Sequence, residues 1–184
     1  MSYEIKKLDQ SHFDNLIELY HDCFSKKVTQ KYFRWKYMEC PYGKVIGFTM
    51  HSDNNLAGFY GILPEKYLIS NEKFKIYQSM DTMTHSSHMK KGIFTKLAKV
   101  TYDEAIKNDN TLNILAFVGL NSFPGFVRKL DFTHVGEVKK IYLLSFILKI
   151  ICLVSSNKSL EFVRVSNFDE IIDNYFKNKD RYYK

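Results

Sequence analysis

The stretch that most constrains this chain is residues 74–97, FKIYQSMDTMTHSSHMKKGIFTKL. Apolar and polar residues alternate as in a strand up to Thr84, and a short polar loop follows. After a single glycine the periodicity becomes that of an amphipathic helix. The first N–H groups of a helix lack intrahelical partners, and the helix dipole adds partial positive charge there. Gly92 lets an anion approach the backbone closely, and Lys90 and Lys91 set two cations beside it. This is the layout of a strand–loop–helix that holds a pyrophosphate; its bland counterpart is a solvated Lys-Lys-Gly turn. No GxxxxGK[ST] is present and no GxGxxG follows the strand, so neither a P-loop nor a Rossmann dinucleotide site is supported.

The remaining segments build a frame around that motif. A strand is expected over 3–8, followed by a helix that Asp9 or Ser11 caps and that runs to Phe24. Phe13, Leu16, Ile17 and Tyr20 stand at helical spacing within it. A second helix is expected over 30–38, stopped by Pro41 and Gly43. Strands over 45–51 and 56–63, joined through Ser52-Asp53-Asn54-Asn55, form a meander with the strand over 74–84. The helix over 92–107 turns Ile93, Phe94, Leu97, Ala98, Thr101 and Ala105 to one side. The apolar run LNILAFV over 112–118 follows a crossover helix and reads as a parallel strand buried on both faces. A short helix over 122–130 and a strand over 133–144 come next, then a strand over 160–165 and a helix over 167–176. With 184 residues, one domain is expected, its core spanning 3–144 and residues 145–184 forming an extension.

Charge and cysteine usage narrow the partners. The formal net charge of +7 favours anionic ligands, but no block of five or six like charges occurs. No recognition-helix or RNP-like pattern is present, so a nucleic-acid-binding module is not expected. Cys23, Cys40 and Cys152 are odd in number and show no CxxC spacing, while His85 and His88 lack a third ligand nearby in sequence. No metal site is expected, and a reducing cytoplasm fits. The first residues, MSYEIKKLDQ, carry no apolar signal region. The run IYLLSFILKIICLV over 141–154 is about six residues short of a bilayer span and is interrupted by Lys149. It is expected to serve as a core element or as a face buried against a second copy, giving a homodimer.

Met89-Lys90-Lys91-Gly92-Ile93-Phe94 resembles the [QR]-x-x-G-x-[GA] acetyl-CoA loop of the GNAT N-acetyltransferases. Met89 stands where Arg or Gln is usual, and Phe94 where a small residue is usual. The Thr84-His85-Ser86 entry and the Gly-Ile-Phe exit are similar to bacterial members linked to sugar modification in surface polysaccharides. Gly119-Leu120-Asn121-Ser122 and Lys129-Leu130-Asp131-Phe132 resemble the family's strand–Asn–helix–KLGF segment, with Asp131 in place of glycine. The expected order β-α-α-β-β-β-α-β-α-β is also the family's, over 3–144, and the likeness is specific across 79–132.

The resemblance implies an α/β fold with a mixed central sheet, flanking helices and parallel strands that splay apart to admit acetyl-CoA. Thr82, Met83 and Thr84 would offer backbone to its pantetheine arm. Met89, Lys90, Lys91, Gly92, Ile93, Phe94 and Thr95 would cradle its pyrophosphate. Asn121 would either bond the pantetheine or cap the following helix. Asp81 is the candidate base for the incoming amine, or else a structural carboxylate. His85 is a second candidate base, or an exposed loop histidine. Arg34 and Trp35, within an aromatic and cationic run, and Tyr60 are candidates for the substrate pocket; the other reading places about half of that run in the core. The family's thiolate-protonating tyrosine position is Val127 here, with Phe126 beside it. The implied function is acetyl transfer from acetyl-CoA to a primary amine of a small molecule, such as a nucleotide-linked amino sugar. The alternative is a GNAT-fold protein that binds CoA or another ligand with little or no turnover.

Overall fold

The computed structural model describes residues 2–53, 55–69, 71–109 and 112–137. The chain divides into two compact units, Met1–Val135 and Gly136–Lys184, and every element below belongs to the first. Residues 133–137 carry no strand. The rest of the strand expected over 133–144, the apolar run over 141–154 and the elements expected beyond it lie outside the described residues.

Strand β1 (Tyr3–Lys7) leads into a 3-10 turn at Gln10–His12 and helix α1 (Phe13–Phe24). Asp9 starts this segment as its pattern predicts. Its carboxylate accepts from the Ser11 N–H at 2.9 Å while its own N–H donates to His12 Nδ1 at 3.3 Å. Helix α2 (Gln30–Phe33), capped by Thr29, widens into a π-helical turn at Arg34–Met38. Strands β2 (Ile46–Ser52), β3 (Asn55–Ile69) and β4 (Glu72–Thr84) form the meander. The links after β2 and β3 carry left-handed Asp53 and Asn71, residue types that tolerate positive φ. The β3–β4 hairpin runs further than expected, with ladder pairs continuing to Ile69 and Glu72. Helix α3 (Ile93–Asp109) crosses back to β5 (Ile114–Ala116), and α4 (Phe123–Lys129) follows.

The five strands lie in the order β1-β2-β3-β4-β5, antiparallel except for β4 with β5, which are parallel. Each face of the sheet carries its own core. Tyr60, Ile62 and Tyr77 pack with the α3 stripe and with Phe126 of α4, whereas Phe59 and Met83 pack with Phe13, Leu16, Phe33 and Tyr37 from α1, α2 and the turn after it. The α3 stripe is buried as expected at Ile93, Leu97, Ala98, Thr101 and Ala105, with Phe94 only half-buried. Gly58 is where α3 meets the sheet most closely. A Cβ there would stand 2.6 Å from Ile93 Cγ2 and 3.0 Å from the Met83 carbonyl oxygen.

One expectation is corrected. Strand β5 is three residues long and half-buried throughout, not buried on both faces over seven. Only Tyr77, Gln78 and Ser79 pair with it, and among the described residues no strand lies on its other side.

A polar clamp joins β4 to the end of α3. Asp109 accepts from Lys75 Nζ at 2.7 and 2.9 Å and from the Tyr77 hydroxyl. The Lys75 bond and then the Tyr77 bond hold its carboxyl below the ordinary value of 3.8. A depressed carboxylate stabilises the fold above its unfolded value and loses that contribution as pH falls through the folded one. Asp109→Asn is therefore expected to lower the melting temperature near neutrality by about 2–4 °C, the effect of roughly 1 kcal/mol. The gap between the two proteins should start to close near pH 3.8 and vanish only once the pH has fallen through the depressed folded value. A gap unchanged in acid would show that the clamp acts by packing rather than charge.

Candidate active site

The β4–β5 ladder ends at Ser79 and Ala116, and beyond it the two strands part. The opening is a cavity of about 200 Å³, walled by Ser79, Met80, Asp81 and Thr82 on the β4 side and by residues 116–119, Ser122 and Phe126 on the other, with Phe24 at its edge. One strand edge of β4 is thus open to an extended ligand, which can add to it as a further strand would. The Ser79 hydroxyl oxygen lies buried in this wall near the Tyr60 hydroxyl, with no partner among the described residues at full hydrogen-bond distance. Among the described residues that line it, Asp81 is the one titratable side chain.

A β-bulge shapes the wall. Phe59 pairs with Met83 and Gly61 with Met80, so Tyr60 faces two residues, Asp81 and Thr82. Asp81 adopts φ +42. Strict alternation would put Tyr77 and Met83 on one face, yet Tyr77 belongs to the α3 core and Met83 to the α1 core. The bulge reverses the phase between them and turns Asp81 toward the π-helical turn. There Asp81 Oδ2 accepts from the Tyr37 hydroxyl at 2.6 Å and pairs with Lys36 Nζ at 2.5 Å. Tyr37 is fully buried, and burial first, then the Asp81 charge, raises its hydroxyl well above the ordinary tyrosine range. It is a permanent donor to Asp81. The carboxylate therefore carries a structural pairing and borders the cleft at once.

The loop after β4 runs through a 3-10 turn at Ser86–His88 to Lys90 and Gly92, both left-handed at φ +62 and +75. Lys96 N–H gives α3 its bond back to the Gly92 carbonyl at 3.1 Å, so the N–H groups just ahead of Lys96 have no partner within the helix. The first turn holds no acidic residue, Lys90, Lys91 and Gly92 are exposed, and a Cβ at Gly92 would meet nothing within 4 Å. Met89 is exposed, Thr95 is half-buried, and Ile93 is buried against the sheet. Phe94 stacks in an aromatic cluster with Tyr60 and Phe126, at 5.8 and 5.1 Å between ring centres. Gly125 makes that bulk acceptable, because a Cβ there would stand 2.8 Å from the Phe94 ring.

The structure sorts the other expected site residues. Of the three pantetheine candidates, Thr82 lines the cleft, Met83 is buried beneath α1, and the Thr84 carbonyl accepts from Cys23 Sγ at 3.5 Å. His85 stands apart from the cleft. It caps the 3-10 turn, its Nδ1 accepting from the Ser87 N–H at 3.3 Å, and it lines a second cavity of about 160 Å³ with His88 and Glu18. Asn121 is exposed in the turn before α4 and does not cap it: Ser122 is the N-cap residue, and its hydroxyl donates to the Gly119 carbonyl at 3.3 Å. Tyr60 is fully buried and shares a 2.8 Å hydrogen bond with Tyr102, so it is a core residue and not a pocket wall. Arg34 and Trp35 project outward, whereas Phe33 and Tyr37 enter the core. Sequence reasoning missed Ser79 and Met80 as cleft residues, and Lys36 and Tyr37 as partners of Asp81. A buried-strand serine offers no periodic signal, and the pairing joins residues 44 and 45 apart through a bulge.

Among the described residues no group of three His, Cys, Asp or Glu side chains is placed to hold a metal ion, and no helix is long and apolar enough to cross a membrane. Known structures share the architecture. Glucosamine-6-phosphate N-acetyltransferase from Arabidopsis thaliana superposes with a TM-score of 0.62 at 18% identity, covering 77% of this chain and 99% of its own. Aminoglycoside 6'-N-acetyltransferase AAC(6')-IG from Acinetobacter haemolyticus gives 0.58 at 13%, covering 77% and 98%. AAC(6')-Iy, bound to a bisubstrate analogue of CoA and acetylneamine, gives 0.62 at 11%, covering 78% and 99%. No curated protein sequence matches the chain significantly. The acetyltransferase (GNAT) domain family matches residues 4–135, which take in the cleft and the whole sheet but for Tyr3 at the start of β1. The protein belongs to the GNAT acetyltransferase family, and as a member of it is an acyltransferase.

Proposed function

We propose that this chain transfers the acetyl group of acetyl-CoA to a primary amine of a small substrate, with an amino sugar, nucleotide-linked in its fullest form, as the acceptor class. The observation that carries the reading is the cleft. An open β4 edge with the buried Ser79 hydroxyl in its wall, and a lysine-flanked helix start at the end of the loop that follows the same strand, support it. These are the contacts that a pantetheine arm and a pyrophosphate need. Bound acetyl-CoA supplies an activated acyl carbonyl. The chain's own residues do the rest. Lys90 and Lys91 with the first N–H groups of α3 hold the pyrophosphate, and Thr82 offers backbone to the arm. Asp81, at the cleft wall, receives the proton that the amine sheds before it attacks. Arg34 and Trp35, exposed on the turn that also holds Lys36, suit the phosphate and the ring of a sugar nucleotide. Acceptors named for the similar structures, glucosamine-6-phosphate and an aminoglycoside, are amino sugars and support that class.

A second reading, CoA binding without efficient turnover, is favoured by one observation. Val127 stands at the family's tyrosine position, and the described residues of the cleft lining hold no titratable group besides Asp81. In the first reading solvent protonates the departing thiolate.

Calorimetric titration of acetyl-CoA into the native chain and into Gly92→Trp and Lys91→Glu variants tests both. Native binding that falls at least about tenfold in each variant, roughly 1.4 kcal/mol, is the expected result. Thermal melts of the variants guard against loss of folding, since Gly92 is left-handed. Binding with no acetylation across a panel of amino sugars would select the second reading, and no native binding would remove both.

A further inference from the structure

We propose that Lys36 is an internal acetyl acceptor, so that the protein acetylates its own Lys36 side chain from acetyl-CoA. The inference rests on the reading of the cleft as the acetyl-CoA site. Its own basis is the position of one amine. Lys36 Nζ stands 2.5 Å from Asp81 Oδ2, and Asp81 lines the cleft. Both side chains are mostly buried, 15% and 13% exposed, whereas every other ion pair among the described residues has at least one partner 40% exposed or more. The Tyr32 hydroxyl lies 3.2 Å from Nζ, and the ring centres of Tyr32 and Tyr37 lie 5.4 and 5.8 Å away, so the ammonium is held in place against the carboxylate.

This is what an acetyl-transfer site requires of its acceptor: a primary amine beside a proton-accepting carboxylate at the edge of the thioester cleft. Lys36 meets the requirement without diffusing in. Its ammonium gives one proton to Asp81, and the freed lone pair attacks the acetyl carbonyl carbon. The N–C bond forms as the C–S bond breaks, and the electron pair of that bond leaves with the sulfur. One of the two protons that nitrogen loses in all ends on the sulfur as the CoA thiol, and the other goes to solvent. Asp81 is left ionised, without its lysine cation and still accepting from Tyr37. The Lys36 ammonium thus occupies the place that an outside amine would take, and acetylation clears it.

The test incubates the whole native protein with acetyl-CoA, maps acetylated lysines by peptide mass spectrometry, and follows the rate at several protein concentrations. Lys36 is expected to gain 42 Da at a rate at least about tenfold above the exposed Lys90 and Lys91, because the amine is already in place. The rate per molecule should not change with protein concentration. Asp81→Asn should slow the labelling at least about tenfold, and Lys36→Arg should abolish it at that position without raising it elsewhere. Labelling no faster than at exposed lysines, or a rate that rises with protein concentration, would overturn the proposal. Calorimetry with acetyl-CoA on the same sample separates the causes. Binding without Lys36 labelling overturns self-acetylation alone, and absence of binding overturns it together with the cofactor reading.

Discussion

Asp81→Ala is expected to lower stability by about 3 kcal/mol, a fall in melting temperature of roughly 6–12 °C, and to abolish acetyl transfer. Two buried or half-buried partners lose their acceptor together. Lys36 Nζ loses its counter-charge at 2.5 Å, and the fully buried Tyr37 hydroxyl loses its 2.6 Å bond. Removing one member of a mostly buried pair costs more than the pair contributes, because the charge left behind keeps its desolvation cost and loses its partner. Position 81 is also left-handed at φ +42, where alanine adds about 1 kcal/mol of strain. Asp81→Asn separates these terms. Asparagine tolerates the left-handed backbone and still accepts from Tyr37, so it should lose the ion pair alone and melt well above the alanine variant. Adding Lys36→Met to Asp81→Ala should restore part of the loss, with a coupling above 0.5 kcal/mol for residues in contact. An Asp81→Ala protein that melts with the native one would show that the cluster does not anchor the bulge.

The second large effect is expected at Gly58. Gly58→Val should cost about 2–3 kcal/mol and weaken acetyl-CoA binding, because no space exists for the new carbons. A Cβ meets Ile93 Cγ2 at 2.6 Å and the Met83 carbonyl oxygen at 3.0 Å. The carbonyl belongs to the β4 backbone and cannot yield, so Ile93 must move. Ile93 is the first residue of α3, and any shift there moves the N–H groups proposed to face the pyrophosphate. Melting and calorimetry should therefore fall together. Gly58→Ala combined with Ile93→Ala removes one of the two collisions and should recover stability relative to Gly58→Ala alone. Binding that stays native while stability falls would separate the close approach from the cradle.

The legible parts of the chain are those in which neighbours in sequence are also neighbours in space. Asp9 begins the first helical segment with its reciprocal bond to His12, and the stripe from Ile93 to Ala105 buries the side of α3 that its spacing marks. The polar turns between β2, β3 and β4 fall where Asp and Asn cluster. The Met89–Phe94 likeness located the loop and helix start, and the family match covers that region.

The site was harder to read, since its members come together through pairing and not through spacing. Alternation along 74–84 implies one inward face, but the bulge opposite Tyr60 reverses the phase partway along β4. Nothing local in SMDTMT marks which residue is displaced. That reversal carries Asp81 to Tyr37 and Lys36 and places Met83 in the α1 core, while Ser79 stays in the cleft wall. Tyr60 looked suited to a pocket because it is aromatic and lies on the strand leading to the site; its burial follows from α3 and α4 closing over it.

By itself, then, the sequence determined the order of elements from β1 to α4, the start of α3 after the loop and the family. These depend on local propensity, caps and period, which a short window contains. Only the tertiary structure decided where β4 breaks step, where β5 parts from it and which amine stands against Asp81. Strand register and its defects are set by contacts between segments far apart in the chain, and no single segment carries that information.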